Sequence, residues 1–517
     1  MRVVLIILVA LAGFALASAL ALYSYGRFAE RAQGEPSFAL PVSEHGTALD
    51  GLVAPLVAER PGQSGLVLVD GNLDAFAIRA LTARRAGRSL DLQYYIWDAD
   101  LTGRLLISEI IKAADRGVRV RLLLDDINAH GHDSTHLALD EHPNIAVRLF
   151  NPSRSREGAL RRGLEMLLRA VSITRRMHNK AWIADGRLAV LGGRNIGDAY
   201  FDADAAANFR DLDVLVLGAA VRETEIVFDD YWNSKAVIPI HALGRSRDAD
   251  LPQLRKRLAD LIADAPARPY LDRVAKDESV REALSGEGRI HWTADARVVS
   301  DPPEKVKGAG EDRWLMNVTR PLLASATTDL EIISPYFIPG ETGTSELVAM
   351  AQRGIRVAVL TNSLAATDVI VVHGAYARYR EPLIAGGVRV FELKPYDHHS
   401  DVSLFGSSSA SLHTKAFTVD DRAGFIGSMN LDPRSISLNS EMGVVFQHGG
   451  LVRQVREVFA DETSPQKSYH VAIEDGEIFW RDRAAEPVRN LHHEPETSIW
   501  RRLTAMIIGL LPVESQL

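Results

Sequence analysis

The sequence predicts an α/β protein built from two similar α/β halves about a pseudo-twofold axis, preceded by a single N-terminal transmembrane helix. Three observations predict it. An uncharged apolar run stands near the start, helix and strand patterns alternate through the rest, and one set of His, Lys, Asp and Asn recurs at the same spacing in each half. Length and composition agree with two large domains plus additions, since 517 residues make roughly three domain equivalents at ~150 residues each. Hydrophobic residues are 46% of the chain and charged residues 24%, which excludes collagen-like, disordered and coiled-coil classes. The 59 Lys and Arg against 67 Asp and Glu leave a net charge of −8, so a surface that is basic throughout, as a general nucleic-acid platform requires, is excluded. With no cysteine, there are no disulfides, thiolate nucleophiles or zinc–sulfur sites.

Residues 3–23 carry no charge. At 1.5 Å per residue they span roughly 32 Å, the thickness of a bilayer core. Ala15-Leu16-Ala17 and Ala19-Leu20-Ala21 resemble signal-peptidase sites, but the apolar run continues past both, so residues 1–27 read as an uncleaved anchor. A cleaved signal or a helix lying in the interface are the alternatives. Arg2 faces Arg27 and Arg31 across the run, and this charge count sets no orientation. A first apolar segment exports the chain behind it, which places the bulk on the periplasmic or extracytoplasmic side of the membrane.

Residues 28–64 are a polar linker, and 65–240 form the first half. Within it the periodicity predicts a helix over 72–86, a strand over 90–97, a helix over 103–116 stopped by Gly117, and a strand over 118–124. The second half, 311–475, repeats the pattern: strand 330–334, helix 345–353 stopped by Gly354, strand 355–360. Ala114-Asp115-Arg116-Gly117-Val118-Arg119-Val120 recurs as Ala351-Gln352-Arg353-Gly354-Ile355-Arg356-Val357. Val227, Phe228 and Asp230 recur as Val458, Phe459 and Asp461. Residues 241–310 read as a connector or insertion with a helix over 251–263 and a strand around 289–294, and 476–517 as a C-terminal extension with an amphipathic helix. The repeat is too long for a solenoid unit, which leaves two similar domains facing each other.

The chemistry sits in the repeated set. His178, Lys180, Asp185 and Asn195 in the first half match His413, Lys415, Asp420 and Asn430 in the second, position for position. Composition gives roughly 0.02 chance matches to His-x-Lys-x4-Asp, so two are not accidental. Short strands over 180–184 and 415–419 put His and Lys, two apart, on one face. Turns at Asp185-Gly186 and Asp420-Asp421 lead into return strands over 188–191 and 424–426, which bring Asn195 and Asn430 back to the same edge. Two imidazoles, two ammonium groups and two amides suit a phosphodiester: the lysines neutralise non-bridging oxygens and the amides donate to the growing charge. One imidazole attacks phosphorus while the other protonates the leaving oxygen, and no metal or other cofactor is called for. A neutral, oriented imidazole needs an acceptor on its other nitrogen. Asp211 and Glu441, each before a strand near the end of its half, are the candidates; the alternative is a pair of strand-end carboxylates in solvent.

These motifs resemble the phospholipase D superfamily, whose members carry two His-x-Lys-x4-Asp motifs in two fused α/β/α domains. The resemblance covers about 65–475, with Gly192-Gly193-Arg194-Asn195 and Gly427-Ser428-Met429-Asn430 after the two motifs. Within it the chain is most similar to bacterial cardiolipin synthases, especially the C type, through Leu92-Gln93-Tyr94-Tyr95-Ile96-Trp97, Arg148-Leu149-Phe150-Asn151-Pro152, residues 192–198, Ser334-Pro335-Tyr336-Phe337-Ile338-Pro339 and Leu510-Leu511-Pro512-Val513-Glu514. It departs from the main type in having one membrane span instead of two. The resemblance implies a phosphatidyl–histidine intermediate with His178 as nucleophile and His413 as general acid and then base. It places Lys180, Lys415, Asn195, Asn430 and Ser428 at the phosphoryl oxygens, and gives Asp185 and Asp420 a bracing part in the catalytic motifs. The expected reaction is transfer of phosphatidyl from a glycerophospholipid to phosphatidylglycerol, with phospholipid substrates and the membrane as partners and no nucleic acid. Hydrolysis to phosphatidic acid is the first alternative; a superfamily nuclease or a non-enzymatic membrane scaffold are the others.

Weaker signals remain. His130, His132 and His136 beside Asp125, Asp126 and Asp133 make either a divalent metal site or, more simply, a polar loop at the site's edge. His398-His399 and His492-His493 are loop pairs. Arg154, Arg156, Arg161, Arg162, Arg169, Arg175 and Arg176 outnumber Glu157 and Glu165 just before His178, and Leu160, Leu164, Leu167, Leu168 and Val171 recur among them at helical spacing. This basic amphipathic stretch either docks on anionic lipid or is a solvated helix. The amphipathic tail over 500–511 either packs on the protein or lies on the membrane.

Overall fold

A computed structural model of the chain describes every residue except 44–45, 157, 205, 245–248, 265–266, 277–289, 396–409, 512–513 and 517. Glu157, His398, His399, Pro512 and Val513 therefore lie outside the described residues. The apolar run forms a 31-residue helix, Arg2–Ala32, whose most apolar window has a mean hydropathy of 2.8 and is not buried against the protein. At ~1.5 Å per residue it is long enough to cross a bilayer, and its exposed Val, Leu and Ile side chains call for lipid. Beyond it the chain settles on the first half, where the Ser37 N–H donates to Asn233 Oδ1 at 3.0 Å.

The strands of the first part are β1 (Ser64–Val69), β2 (Ser89–Tyr94), β3 (Arg119–Asp125), β4 (Ile145–Phe150), β5 (Ala181–Ala184), β6 (Leu188–Gly192), β7 (Asn208–Arg210), β8 (Asp213–Gly218), β9 (Val237–Pro239) and β10 (His291–Thr293). Those of the second are β11 (Ala296–Ser300), β12 (Asp329–Ile333), β13 (Arg356–Asn362), β14 (Arg389–Leu393), β15 (Ala410–Leu412), β16 (Ala416–Val419), β17 (Ala423–Gly427), β18 (Met442–Gln447), β19 (Ser468–Glu474), β20 (Glu477–Asp482) and β21 (Arg489–Leu491). The first sheet runs β10-β1-β8-β6-β5-β2-β3-β4-β9 and the second β11-β18-β17-β16-β12-β13-β14-β19-β20-β21. The runs β8-β6-β5-β2-β3-β4 and β18-β17-β16-β12-β13-β14 match strand for strand. In each, the last three are parallel and the other neighbours antiparallel.

Local chemistry explains the shared unit. Asp100 caps the helix Leu101–Asp115 by accepting the Gly103 N–H at 3.0 Å, and Gly117 ends it at φ 93. Gly354 stands at the same place after Gly340–Gln352 with φ 90, a conformation that L side chains avoid. The strand expected to reach Trp97 stops at Tyr94, and Trp97 instead makes an isolated bridge to Ile196. Residues 291–300, expected inside the connector, supply edge strands to both sheets: β10 pairs with β1 and β11 with β18. Helices cover the outer faces over two apolar cores, and a third lies between the sheets. There Ala181, Leu191, Val214 and Val216 of one half share a cluster with Ile426, Met442, Val444 and Phe446 of the other. Each of the larger of these side chains contributes roughly 1.5–3 kcal/mol through its burial, so the two halves are held as one apolar unit.

Candidate active site

Both His-x-Lys segments enter their strands at the junction of the halves, and backbone pairing across that junction sets their position. Met177 makes a parallel bridge to Ser440, and the His178 N–H donates to the Ser440 carbonyl at 2.8 Å. On the other side β15 runs parallel to β7, and the His413 N–H donates to the Arg210 carbonyl at 2.8 Å. Each histidine is thus laid beside the residue that precedes the other half's acid. The side chains follow: His178 Nδ1 lies 2.8 Å from Glu441 Oε2, and His413 Nδ1 lies 2.6 Å from Asp211 Oδ2. The two carboxylates expected as orienting acids do meet the imidazoles, but crosswise. Sequence could nominate the acids and not the crossing, which depends on how the halves dock.

With Nδ1–H committed to a carboxylate, Nε2 of each ring keeps its lone pair for chemistry. Burial pushes the His178 imidazole down to about 4 against the pull of Glu441, with Lys180 adding to the fall. His413 is held well below its ordinary value by burial, then by Lys415 and Lys180. Each lysine curls under its own histidine: Lys180 Nζ donates to the His178 carbonyl at 2.7 Å and Lys415 Nζ to the His413 carbonyl. That contact accounts for the two-residue spacing and leaves ammonium protons for an anion. Burial takes Lys180 to about 7 and Lys415 to about 8, and each feels the carboxylates of both halves. Aromatic rings wall the site, Tyr95 edge-on to His178 at 4.9 Å and Tyr200 edge-on to His413 at 5.2 Å.

The remaining motif residues divide. One Asn195 amide proton goes to the Tyr200 hydroxyl at 2.8 Å, and its carbonyl accepts the Ile96 N–H at 3.2 Å, so one amide proton remains for a ligand. Asn430 is buried with Oδ1 lacking a partner among the described residues. Ser428, expected at a phosphoryl oxygen, gives its hydroxyl proton to Glu441 Oε2 at 2.5 Å and accepts the Met442 N–H at 3.0 Å. Its hydroxyl proton is therefore committed to Glu441. Asp185 and Asp420 lie at the far ends of β5 and β16, roughly 17 Å of strand from the lysines. Asp185 accepts the N–H groups of Gly87, Arg88 and Ser89, and Asp420 those of Thr327, Thr328 and Asp329. Both turn at positive φ, 55 and 52. They brace the strands and do not face the imidazoles.

Sequence reasoning missed Tyr200 altogether, gave Tyr95 no role, and read Asp125 only as a metal ligand or a polar residue at the site's edge. The buried Asp125 carboxylate accepts the Met177 N–H at 2.9 Å and pairs with Arg176 at 3.2 Å, fixing the residues before His178. The only signal was position, a carboxylate ending a buried strand beside the motif. The metal alternative weakens, because Arg156 takes both Asp126 and Asp133. Among the described residues His373, Glu392 and Glu494 converge as ligands would, but Arg380 sits among them, 2.8 Å from each glutamate. His492 and His493 are exposed.

A family profile described as "Cardiolipin synthase, PLD-like domain" matches residues 81–232 and 320–462, one segment in each half. Cardiolipin synthase C of Escherichia coli K12 is 40% identical over 468 residues, covering 89% of this chain and 98% of that protein. A cardiolipin synthase of Staphylococcus aureus is 23% identical over 380 residues, covering 73% of this chain and 63% of its own. Among solved structures, the phosphatidylserine synthase of Haemophilus influenzae aligns with a TM-score of 0.56 at 16% identity, over 87% of this chain and 95% of that one.

Proposed function

The chain belongs to the cardiolipin synthase, phospholipase D-like family, and from that premise we propose that it is a phosphatidyltransferase that makes cardiolipin through a phosphohistidine. The observation that carries the reading is the crossed pair of imidazole–carboxylate contacts, which brings one nucleophile and one proton carrier from opposite halves to a single site. A lipid phosphate entering between Lys180 and Lys415 supplies the negative charge that the buried ammonium groups lack, and this favours a proton on His413. His178 Nε2 then attacks phosphorus. As the P–N bond forms, the P–O bond to the donor's headgroup alcohol breaks, and His413 Nε2–H protonates that oxygen. In the second half-reaction His413 takes the proton from a hydroxyl of phosphatidylglycerol, whose oxygen bonds phosphorus as the P–N bond breaks. Glu441 and Asp211 stabilise whichever imidazole is charged, and the lysines hold the non-bridging oxygens, so the ammonium groups fill the place of a metal.

The exposed apolar helix and the relatives make this a membrane protein. We place it as an uncleaved anchor in the inner membrane, with residues 65–240 and 311–475 as the two periplasmic units. Purified protein given labelled phosphatidylglycerol and phosphatidylethanolamine in EDTA is expected to make cardiolipin. Phosphatidic acid as the sole product would make it a phospholipase D, and no lipid turnover would return the nuclease to consideration.

A further inference from the structure

Apart from the reaction site, a cavity of about 890 Å³ opens at the foot of the membrane helix, between it and the basic helix Ala159–Leu168. Ala21, Ser24 and Tyr25 form one wall; Arg154, Arg156, Arg161 and Arg169 line the other. Its depth follows from the sequence. The apolar run ends at Tyr23, so residues 21–25 stand where acyl chains give way to headgroups, and a cavity they wall lies at the level of lipid phosphates.

The charges there are unequal. Arg156 is taken by Asp126 and Asp133, while Arg169 pairs with Glu165 at 2.7 Å and lies 3.3 Å over the Tyr25 ring. Arg154 and Arg161 have no carboxylate partner among the described residues. Among the described residues the Arg154 guanidinium reaches only the Ser24 hydroxyl at 3.3 Å and the Phe28 ring at 4.6 Å, while its backbone N–H donates to Glu165 Oε1 at 2.9 Å, and Arg161 is exposed. Of the seven arginines counted in the sequence before His178, Arg175 and Arg176 are also spent inside the protein, on the Lys305 carbonyl and on Asp125, and Arg162, outside the cavity lining, buries its Nε without a partner among the described residues. Beside the uncompensated pair, Leu160, Leu164 and Leu167 are 89%, 57% and 57% exposed. The short helix thus offers leucines to acyl chains and Arg161 to a phosphate, with Arg154 beside it from the preceding loop.

We propose that this cavity holds the phosphate-bearing headgroup of an anionic phospholipid, gripped by Arg154 and Arg161 with the acyl chains along the leucine face. The site is separate from the reacting phosphorus but shares a support with it: Asp126 holds Arg156 in the cavity wall, and its neighbour Asp125 holds Met177 beside His178.

The test counts retained lipid. Full-length protein in a neutral detergent is mixed with phosphatidylglycerol or phosphatidylcholine and examined by native mass spectrometry, using the His178→Ala chain so that nothing is consumed. Phosphatidylglycerol should occupy one site that weakens about tenfold for each arginine removed in Arg154→Gln/Arg161→Gln. Phosphatidylcholine should be retained poorly, millimolar glycerol 3-phosphate should not displace the lipid, and Arg104→Gln, an exposed arginine elsewhere, should change nothing. An unchanged count in the double variant, or equal retention of phosphatidylcholine, overturns the proposal. Displacement by glycerol 3-phosphate also overturns it, by assigning the cavity to a soluble phosphate. Arg161→Glu alone, at a side chain with no carboxylate partner among the described residues, guards against misfolding; if it is folded and retains phosphatidylglycerol like the parent, the proposal falls. Because retention is read and not turnover, the outcome stands apart from that of the proposed reaction.

Discussion

Replacing Glu441 with Gln tests the crossed arrangement at its most exacting point. The Glu441 side chain is fully buried and holds two donors on one oxygen, His178 Nδ1–H at 2.8 Å and the Ser428 hydroxyl at 2.5 Å. The carboxamide is nearly isosteric, so packing is retained. Its charge is lost, however, and with it the preference for the tautomer that leaves Nε2 free. Each of the two bonds to a charged acceptor carries about 1.5–3 kcal/mol, so a loss of about 3–6 kcal/mol lowers turnover roughly 10²- to 10⁴-fold. The assay is the initial rate of labelled cardiolipin formation from phosphatidylglycerol, alongside circular dichroism and the thermal midpoint of the variant. A Glu441→Gln protein that keeps the parent's thermal midpoint and turns over within threefold of it would refute the reasoning, because the acid would then be no more than a buried neighbour.

Other outcomes rest on the same geometry. Ser428→Ala removes one bond to Glu441 and leaves the imidazole contact, so the rate should fall about 10-fold, with KM little changed; a KM rise without loss of kcat would return Ser428 to the phosphate. Burial sets Lys180 at about 7 and Lys415 at about 8, so kcat/KM should decline as pH rises through that range and the ammonium groups lose their protons. A profile flat to pH 10 would contradict it. Asp420→Ala should cost about 2–4 kcal/mol of stability, read as a lower denaturant midpoint, while folded protein retains most of its rate. Although burial pushes the Asp420 carboxyl up, the N–H groups of Thr327, Thr328 and Asp329 hold it well below its ordinary value. The stability it contributes is therefore present above the unfolded value of about 3.9 and is lost as pH falls below it, a loss the alanine variant should not show.

Much of the fold was legible because its signals are local. The helix Leu251–Ala263 and the glycines that end Leu101–Asp115 and Gly340–Gln352 follow from periodicity and from one backbone conformation. Helix starts were read less well: Gly340–Gln352 begins five residues before its apolar stripe, where nothing apolar marks it. The strand at 291–293 was read, but its pairing to β1, and the strand at 296–300 that pairs with β18, escaped because edge pairing is a long-range event with no periodic signature. At the site, identical spacing nominated the histidines, lysines and asparagines. The exchange of Asp211 and Glu441 between halves was not readable, since it arises from Ser440 and Arg210 pairing across the junction. The Ser428 contact to Glu441 was not readable, because a hydroxyl next to a motif Asn looks like an anion ligand until its acceptor is seen. The arginine count before His178 likewise overstated the charge offered to lipid, since burial consumes Arg156, Arg169, Arg175 and Arg176.

The central claim is that His178 carries the phosphatidyl group in a site built from both halves. The most direct measurement is to mix full-length His413→Ala protein with phosphatidylglycerol labelled in its phosphatidyl moiety, quench at alkaline pH, and map the label by peptide mass spectrometry. An acid-labile adduct on the peptide containing His178, absent from the His178→Ala chain, is the predicted result. A label elsewhere, or one undiminished in the His178→Ala chain, would contradict the claim.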